Sequence, residues 1–303
     1  MANKTPDPAD QLNKLIETCL KAGADGADAR LAVSRGVSVE VRDGKLESIE
    51  RSESQGVALR CLFGQRQASV SGSDVSDEAL AELASRCSAM ARAVPEDPYC
   101  GLAPEEDLAK DLPRLDLSGD GELAADQLER DAIAAEAAAL DVPGVKTVSS
   151  CGSGWSETER WVASSNGFRA YRFGGSSGLG LAAVAEQDGA MERDYESWST
   201  RTLAARPSPE AIGQEAGTRT VARLGSRKIE SQTAAVIYDR RVSSSLIGSM
   251  LGAISGPSVA RGISFLKDKL GEQVFAKGVD VIDDPFRASG MGSRAHDGEG
   301  RPV

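Results

Sequence analysis

The side chains best suited to do chemistry lie together near the end of the chain. His296 is the single histidine, and Asp297 and Glu299 follow it in the element Asp-Gly-Glu-Gly. Two carboxylates beside an imidazole are a residue set suited to general acid/base work. Alternating acids and glycines are equally typical of a turn, so Asp297 and Glu299 are candidates either for a substrate cleft or for a solvated turn.

The histidine count excludes most metal and nucleophile chemistry within this chain. Zinc peptidases of the HExxH type need two histidines one helical turn apart, and a serine hydrolase would have to use His296 as its base. Residues 174–178 match Gly-x-Ser-x-Gly, but a nucleophile elbow needs a strand that turns into a helix, and both flanks are strand-like. We interpret Ser176 as part of a hairpin end, and expect neither catalytic nor metal-binding residues in this chain.

The net charge and the composition of the chain argue against nucleic acid and membranes as direct partners. The chain has 35 basic and 46 acidic residues, a net charge of −11, and only 4% aromatic residues. An acidic surface repels phosphate backbones and few aromatics are available to stack on bases, so nucleic acid is not expected as a direct ligand. No apolar run approaches the roughly 18 residues of a membrane span, and the first ten residues lack the apolar segment of a secretory signal.

The cysteines agree with a reducing compartment. Five cysteines are scattered without a CxxC pair, which is typical of reduced thiols. We therefore expect a cytoplasmic protein without membrane contact.

The apolar pattern predicts an α+β fold. Residues 9–22 carry one apolar helical face, and Ser76 is placed to cap a second helix. Between them, apolar alternation predicts short strands, with Asp43-Gly44 as a hairpin turn. The predicted strands are 29–33, 37–41, 46–50, 57–63 and 67–71.

Composition divides the chain into three regions. Residues 1–93 form an N-terminal α+β unit, residues 94–121 are a Pro- and acid-rich connection, and residues 122–303 hold a helix followed by an antiparallel meander and further elements. Asn166-Gly167 predicts a two-residue type I′ turn, and Asp188-Gly189 predicts a second.

Further elements are predicted after the meander. Ser208-Pro209 is a helix start, and residues 239–254 are predicted to be helical. Residues 234–238 are predicted as a buried strand and residues 279–282 as a short one.

Five motifs occur in one order after residue 150. Together they resemble the TldD/PmbA family, also called modulator of DNA gyrase, and its PmbA (TldE) branch more than its TldD branch. The resemblance covers nearly the whole chain. The motifs are Asn166-Gly167-Phe168; Met191-Glu192-Arg193-Asp194-Tyr195 with Arg201; Arg261-Gly262-Ile263-Ser264-Phe265-Leu266 with Lys269-Leu270-Gly271; Asp283-Asp284-Pro285; and Gly292-Ser293 with Asp297-Gly298-Glu299-Gly300.

The resemblance implies a cytoplasmic metallopeptidase system in which TldD-like and TldE-like subunits pair and degrade unfolded or modified peptides. Maturation of a microcin precursor and degradation of an antitoxin are activities associated with the family. In the TldD branch, a zinc motif of HExxxH type precedes the Arg-Gly-x-Ser element. Counting back from Arg261 leads to residues 247–252, which hold no imidazole or carboxylate. The resemblance thus implies zinc only in a TldD-like partner and no cofactor in this chain.

Two further places are candidates for substrate or subunit contacts. Arg261, Ser264 and Lys269 follow the Gly/Ser-rich segment 252–258, which is predicted to break a helix, and an arginine fork suits a peptide carboxylate or carbonyl. Alternatively, Arg261 pairs with a nearby acid. The acids that could form this ion pair are Asp283, Asp284 and Glu299.

Arg193 and Tyr195 share one face of a predicted strand. They are placed either to line a peptide groove or simply to pair across the hairpin.

Our leading hypothesis is a PmbA/TldE-like, zinc-free subunit that contributes substrate contacts. The alternative is a non-enzymatic peptide- or protein-binding regulatory module. Because family members continue past the Asp-x-Glu-Gly element, we expect the family's C-terminal β domain to be absent and strand edges to be open over residues 277–303. No residue pattern indicates a contact with gyrase.

Overall fold

The computed structural model describes residues 7–303 and has an α+β fold. Residues 1–6, which belong to the segment tested for a secretory signal, lie outside the described part. The helices are α1 (Pro8–Lys21), α2 (Asp77–Ala93), α3 (Ala125–Leu140), α4 (Pro209–Ala222), α5 (Arg240–Ala253) and α6 (Gly256–Ala260). The strands are β1 (Gly26–Arg42), β2 (Lys45–Phe63), β3 (Arg66–Gly72), β4 (Val145–Ser164), β5 (Arg169–Gln187) and β6 (Ala190–Thr200).

All six of these strands form one antiparallel sheet in the order β3-β2-β1-β4-β5-β6. The central pairing joins β1 to β4, from Asp28 opposite Ser164 to Val41 opposite Cys151. The connection predicted at 94–121 therefore does not separate two sheets, because strands on its two sides are neighbours. Several of the short strands predicted from alternation are parts of longer ones.

Four helices pack on one face of this sheet. The odd-numbered residues of β1 point toward these helices. Together with apolar residues of the helices and of the neighbouring strands, they form two apolar clusters. The first cluster joins α1 and α2 to β1, β2 and β3, and the second joins α3 and α4 to β1, β4 and β5. Removing these apolar side chains from water is the main stabilising term of such a two-layer arrangement.

Two of the predicted hairpin turns are confirmed and one has a different form. Asp43-Gly44 and Asp188-Gly189 each have two positive φ angles, as a type I′ turn requires. At the third hairpin the strands pair only up to Ala163 and Arg169, so that the loop is longer than two residues. Asn166 instead accepts the Phe168 amide at 3.3 Å and donates to the Ala103 carbonyl at 2.8 Å, a side-chain bonding pattern typical of an Asx turn.

By internal contacts the chain divides into two units, one up to Ser226 together with Asp284–Val303, the other Arg227–Asp283. The second unit contains α5 and α6, and the break between them confirms the effect predicted for segment 252–258. The strands predicted at 234–238 and 279–282 are absent: no strand partner is present for them in the described unit, and Ile237 is 95% exposed.

Residues 284–303, called the tail below, belong to the first unit. The open strand edges predicted over 277–303 are not found; in the tail the structure has turns and one bridge, between His296 and Pro302. Frequent glycine and proline explain the difference, since both weaken strand pairing. No helix among residues 7–303 has the length and apolar character needed to cross a membrane.

A buried carboxylate fixes the β1–β2 hairpin to the helix layer. Glu136 of α3 is 2% exposed and accepts the amides of Asp43 and Gly44 at 3.0 and 2.7 Å. Hydrogen bonds to a charged acceptor are stronger than neutral ones, and losing them would leave two amides of the turn unpaired.

We predict that Glu136→Ala lowers the free energy of unfolding by about 2 kcal/mol, since each charged hydrogen bond contributes about 1.5–3 kcal/mol. Urea unfolding followed by circular dichroism measures the change. Glu129→Ala in the same helix is the matched control, because Glu129 has no ion pair or side-chain hydrogen bond in the described chain. An equal fall in both variants would contradict the role of the buried carboxylate.

Candidate functional site

The face of the sheet turned away from the helices, here called the open face, is built from small residues and arginines. It consists of the even-numbered residues of β1, β4 and β5 and the odd-numbered residues of β6. Among them are Arg30, Ser34, Gly36, Ser38, Gly154, Ser156, Arg160, Arg172, Ser176, Gly178, Arg193 and Tyr195.

A groove of about 380 Å³ crosses this face at its serines and glycines. At Gly36 a Cβ atom would lie 2.6 Å from the Trp155 carbonyl oxygen, so the close approach of β1 and β4 requires glycine there. Ser176 lies on the groove within β5, opposite Ser156, so the hairpin end predicted for it is wrong. A serine inside a continuous strand lacks the strand-to-helix turn of a nucleophile elbow.

The tail lies against the open face beside β1. Arg30 donates to the Gly298 carbonyl at 2.7 Å, and the His296 ring packs edge-on against Phe168 with centroids 5.0 Å apart. The Gly300 carbonyl accepts the Ala109 amide at 2.8 Å. These three contacts hold the tail in a defined position.

The structure brings Asp297 and Glu299 to this face but uses both carboxylates in local contacts. Oδ1 of Asp297 accepts the amides of Glu299 and Arg301 at 2.8 and 2.9 Å, which is turn geometry. Oε1 of Glu299 lies 3.3 Å from Arg60, which also pairs with Asp28 at 2.5 Å. The backbone carbonyl of Asp297, rather than a carboxylate, lies 2.7 Å from Nδ1 of His296.

Arg193 and Tyr195 lie on the open face, at its β6 edge. Tyr195 is 53% exposed, and Arg193 donates to Ser149 Oγ at 3.2 Å. The opposite side of β6 carries acids that face α4, where Arg223 pairs with Glu192 at 3.5 Å and Asp194 at 3.6 Å. The alternation predicted for this strand is confirmed, whereas its contact with a peptide stays a prediction.

The other three predicted residues lie in the second unit. Ser264 is buried and its hydroxyl accepts the Leu266 amide at 2.9 Å, while Lys269 pairs with Glu272 at 2.8 Å. Arg261 ends α6, is exposed, and forms no ion pair with an acid of this unit in the described chain. Their role as substrate or subunit contacts stays a prediction.

The donor chemistry of α5 does not fit zinc. From Arg240 to Ala253 the helix carries arginine, serine, methionine and apolar residues, with no histidine, cysteine, aspartate or glutamate. Zinc is held by exactly those four side-chain types. Elsewhere in residues 7–303, no three such side chains are grouped closely enough to hold a metal ion.

The sequence interpretation gave no role to the arginines that organise this region, although it quoted Arg201 within a motif. Arg201 donates to the carbonyls of Leu117, Gly175 and Gly290 at 2.8, 2.9 and 3.2 Å, and so connects β5, the 94–121 connection and the tail. Burial lowers the pKa of Arg201. The other missed arginines, which share one pocket, are Arg30, Arg160, Arg172 and Arg294. The alternation that puts Arg30, Arg160 and Arg172 on one face of their strands was available from the sequence. The strand pairing that brings them together, and the position of Arg294 in the tail, were not.

Three models of successive domains of one family match the chain. Residues 27–91 match "PmbA/TldA metallopeptidase domain 1", residues 120–224 match the central domain, and residues 231–303 match the C-terminal domain.

Comparison with individual protein sequences also finds members of this family. Metalloprotease PmbA of Escherichia coli O157:H7 is 32% identical over 95% of this chain and 65% of its own length. The Metalloprotease PmbA homolog of Haemophilus influenzae is 28% identical over 94% of this chain and 63% of its own length. The chain thus spans a little under two thirds of these relatives.

Solved structures confirm the fold. A proposed modulator of DNA gyrase from Bacteroides thetaiotaomicron matches with a TM-score of 0.90 and 24% identity, over 99% of this chain and 69% of that one. TldE from Thermococcus kodakarensis matches with a TM-score of 0.77 and 18% identity, over 97% of this chain and 66% of that one.

We predict that Gly300→Ala releases the tail from the open face. Gly300 has φ +90°, and a Cβ there would lie 2.5 Å from Cγ of Phe168, so the substitution adds both strain and a clash. Hydrogen exchange of the Ala109 amide and of residues 294–301 is expected to become about tenfold faster or more. Gly292→Ala is the control, since nothing lies within 4 Å of its added Cβ. Unchanged protection in the first variant would show that the tail is not held at Gly300.

Proposed function

The chain belongs to the PmbA/TldD metallopeptidase family, and from this premise we propose that it is a PmbA/TldE-like subunit that binds no catalytic zinc itself. It works with a TldD-like metallopeptidase subunit in the cytoplasm, and the substrates of the pair are unfolded or modified peptides. Peptide-bond hydrolysis takes place at the zinc of the partner.

The observation that carries this proposal is the donor set of α5. This helix is separated from the Arg261-Gly262 element only by the short helix α6, and it covers the position at which the resemblance places the zinc motif of the TldD branch. None of its side chains ligates zinc. A zinc-bound water with a lowered pKa requires ligands in a fixed arrangement, which serine, glycine and isoleucine do not provide.

In the proposed complex, this chain contributes a surface that contacts the peptide substrate. Its open face presents a groove lined with serine and glycine, together with a set of arginines at the tail. Such a face suits contact with an extended peptide, because small side chains let a backbone approach closely. The substrates that the resemblance implies, a microcin precursor and an antitoxin, are peptides that could contact this face.

One observation favours the alternative of a non-enzymatic peptide-binding module. Within residues 7–303, residues 45–56 of β2 pair with β1 on one side and with no strand on the other, since β3 pairs with residues 57–63. A free edge of this length is able to accept a peptide as an additional strand. The charged side chains along it also limit unspecific pairing.

We predict that the purified 303-residue chain holds much less than one zinc per molecule, and that it forms a complex with a TldD-like subunit. Size-exclusion chromatography with elemental analysis measures both properties. Peptidase activity is expected only when both chains are present and is expected to stop on addition of a chelator, because the metal supplies the nucleophile.

A pair of substitutions, one in each subunit, tests which subunit carries out peptide-bond hydrolysis. Replacing a histidine of the partner's HExxxH motif is expected to abolish activity, whereas Ser249→Ala in α5 leaves it unchanged. Tightly bound zinc in the isolated chain, or partner activity that is the same without this chain, would overturn the proposal. Capture of peptides by a chain that never binds a TldD-like subunit would support the binding module instead.

A further inference from the structure

A pocket of about 320 Å³ on the open face is lined by four arginines of the first unit. Three come from neighbouring strands and the fourth from the tail, which also supplies the rest of the polar wall. The charged and polar lining residues are Arg30, Arg160, Arg172, Arg294, His296 and Asp297.

The strand register concentrates this positive charge. Arg160 and Arg172 lie directly opposite each other on β4 and β5, and Arg30 lies opposite Val162, diagonal to Arg160. Opposed side chains in a sheet are about 5 Å apart at Cβ and diagonal ones about 7 Å, and like charges directly opposite destabilise the pair. Their repulsion raises the free energy of the folded chain unless an anion binds between them.

Three of the arginines lack any compensating contact. Within residues 7–303 the guanidinium groups of Arg160, Arg172 and Arg294 form no ion pair and donate no hydrogen bond. Neighbouring Arg60 shows the contrast, because it pairs with both Asp28 and Glu299.

Arg172 is half-buried, and its pKa reflects this environment. Burial lowers it first, and the surrounding positive charges lower it further. Those charges are Arg160, Arg201 and Arg294.

A shortage of acids does not explain the unpaired arginines. The chain has 46 acidic residues against 35 basic ones. The one acid in the pocket wall, Asp297, accepts two tail amides with Oδ1. The cluster therefore remains strongly positive on an otherwise acidic chain.

We propose that this pocket binds a carboxylate group of a peptide, with Arg160 and Arg172 as its principal donors. That the ligand is a peptide rests on the proposed function. Each guanidinium presents a planar fork that matches a carboxylate with two parallel hydrogen bonds, and binding replaces the repulsion between the arginines with paired contacts.

The adjoining groove accommodates the rest of such a peptide. Ser156 of the groove and Arg160 of the pocket are four residues apart on the same face of β4, about 13 Å at the rise of a strand. About four extended residues would therefore lie between the arginines and the serine–glycine groove. A carboxylate at the peptide C-terminus and an acidic side chain both satisfy this geometry.

The test is direct binding to the full chain alone, without partner or zinc. The probes are three unlabelled, N-acetylated peptides of small residues, titrated by calorimetry: one with a free C-terminus, one amidated, and one amidated with an internal aspartate. A peptide that carries a carboxylate is expected to bind about tenfold or more tightly than the fully neutral one, since a charged hydrogen-bonded pair is worth at least that factor. Tighter binding of the free-acid or of the aspartate peptide tells whether the terminus or the side chain is recognised.

The double variant Arg160→Gln, Arg172→Gln is expected to bind all three peptides equally weakly. The double variant Arg114→Gln, Arg130→Gln is the control for net charge, since both arginines are exposed and have no side-chain partner in the described chain. The melting temperature of the double variant is expected to be unchanged or higher, because repulsion is removed; a purely structural role would lower it.

Equal affinity for neutral and acidic peptides, or wild-type binding by the double variant, would overturn the carboxylate site. Either result would leave the proposed partnership with a TldD-like subunit intact. Conversely, a chain that binds acidic peptides but never supports a partner's peptidase activity would overturn the proposed function and leave the pocket standing.

Discussion

The antiparallel pairing of β1 with β4 is the interaction on which the rest of the structure depends. It runs from Asp28 opposite Ser164 to Val41 opposite Cys151, and it joins strands that are more than a hundred residues apart in the chain. One face of the joined sheet receives both helix pairs, and the other places Arg30 diagonal to Arg160. Because side chains alternate along a strand, a slip of one residue would exchange the apolar core with the open face. The two apolar clusters therefore fix the position of the arginines as well.

The sequence predicts the parts of this fold that are set by neighbouring residues. Ser76 and Ser208 cap α2 and α4 as expected, and Asp43-Gly44 forms the expected turn, because caps and two-residue turns depend on a few adjacent side chains. The β1–β4 pairing could not be predicted, since apolar alternation identifies strands but not their partners. Asn166 shows the same limit at short range, because its side chain bonds to Ala103 across the molecule and the loop opens.

The same limit applies to the candidate site, because the sequence identifies single motifs but not which distant residues the fold brings together. The segment with Asp297 and Glu299 lies at the open face, but Asp297 accepts backbone amides of its own turn and Glu299 pairs with Arg60. The arginines that remain unpaired belong to no motif, and they become a group only through the register of three strands and the tail. The clustering of like charges from distant segments is a property of the folded chain, which is why it is not visible in the order of residues.

The carboxylates and the arginines of this chain differ in whether they are paired, and this difference bears on which of them suit binding and which suit proton transfer. Acids that face helices or turns are paired: Glu192 and Asp194 with Arg223, Glu157 with Arg35, and Glu136 with two turn amides. Glu192 is a poor general base, because the hydrogen bond from Ser226 and the nearby Arg223 lower the pKa of its carboxyl group. Unpaired arginines, in contrast, are poor catalysts of proton transfer, since the guanidinium does not deprotonate, but good anion binders. The single histidine, the residue types of α5 and the unpaired arginines of the open face are therefore the features on which the proposed division between peptide binding and metal-dependent cleavage rests.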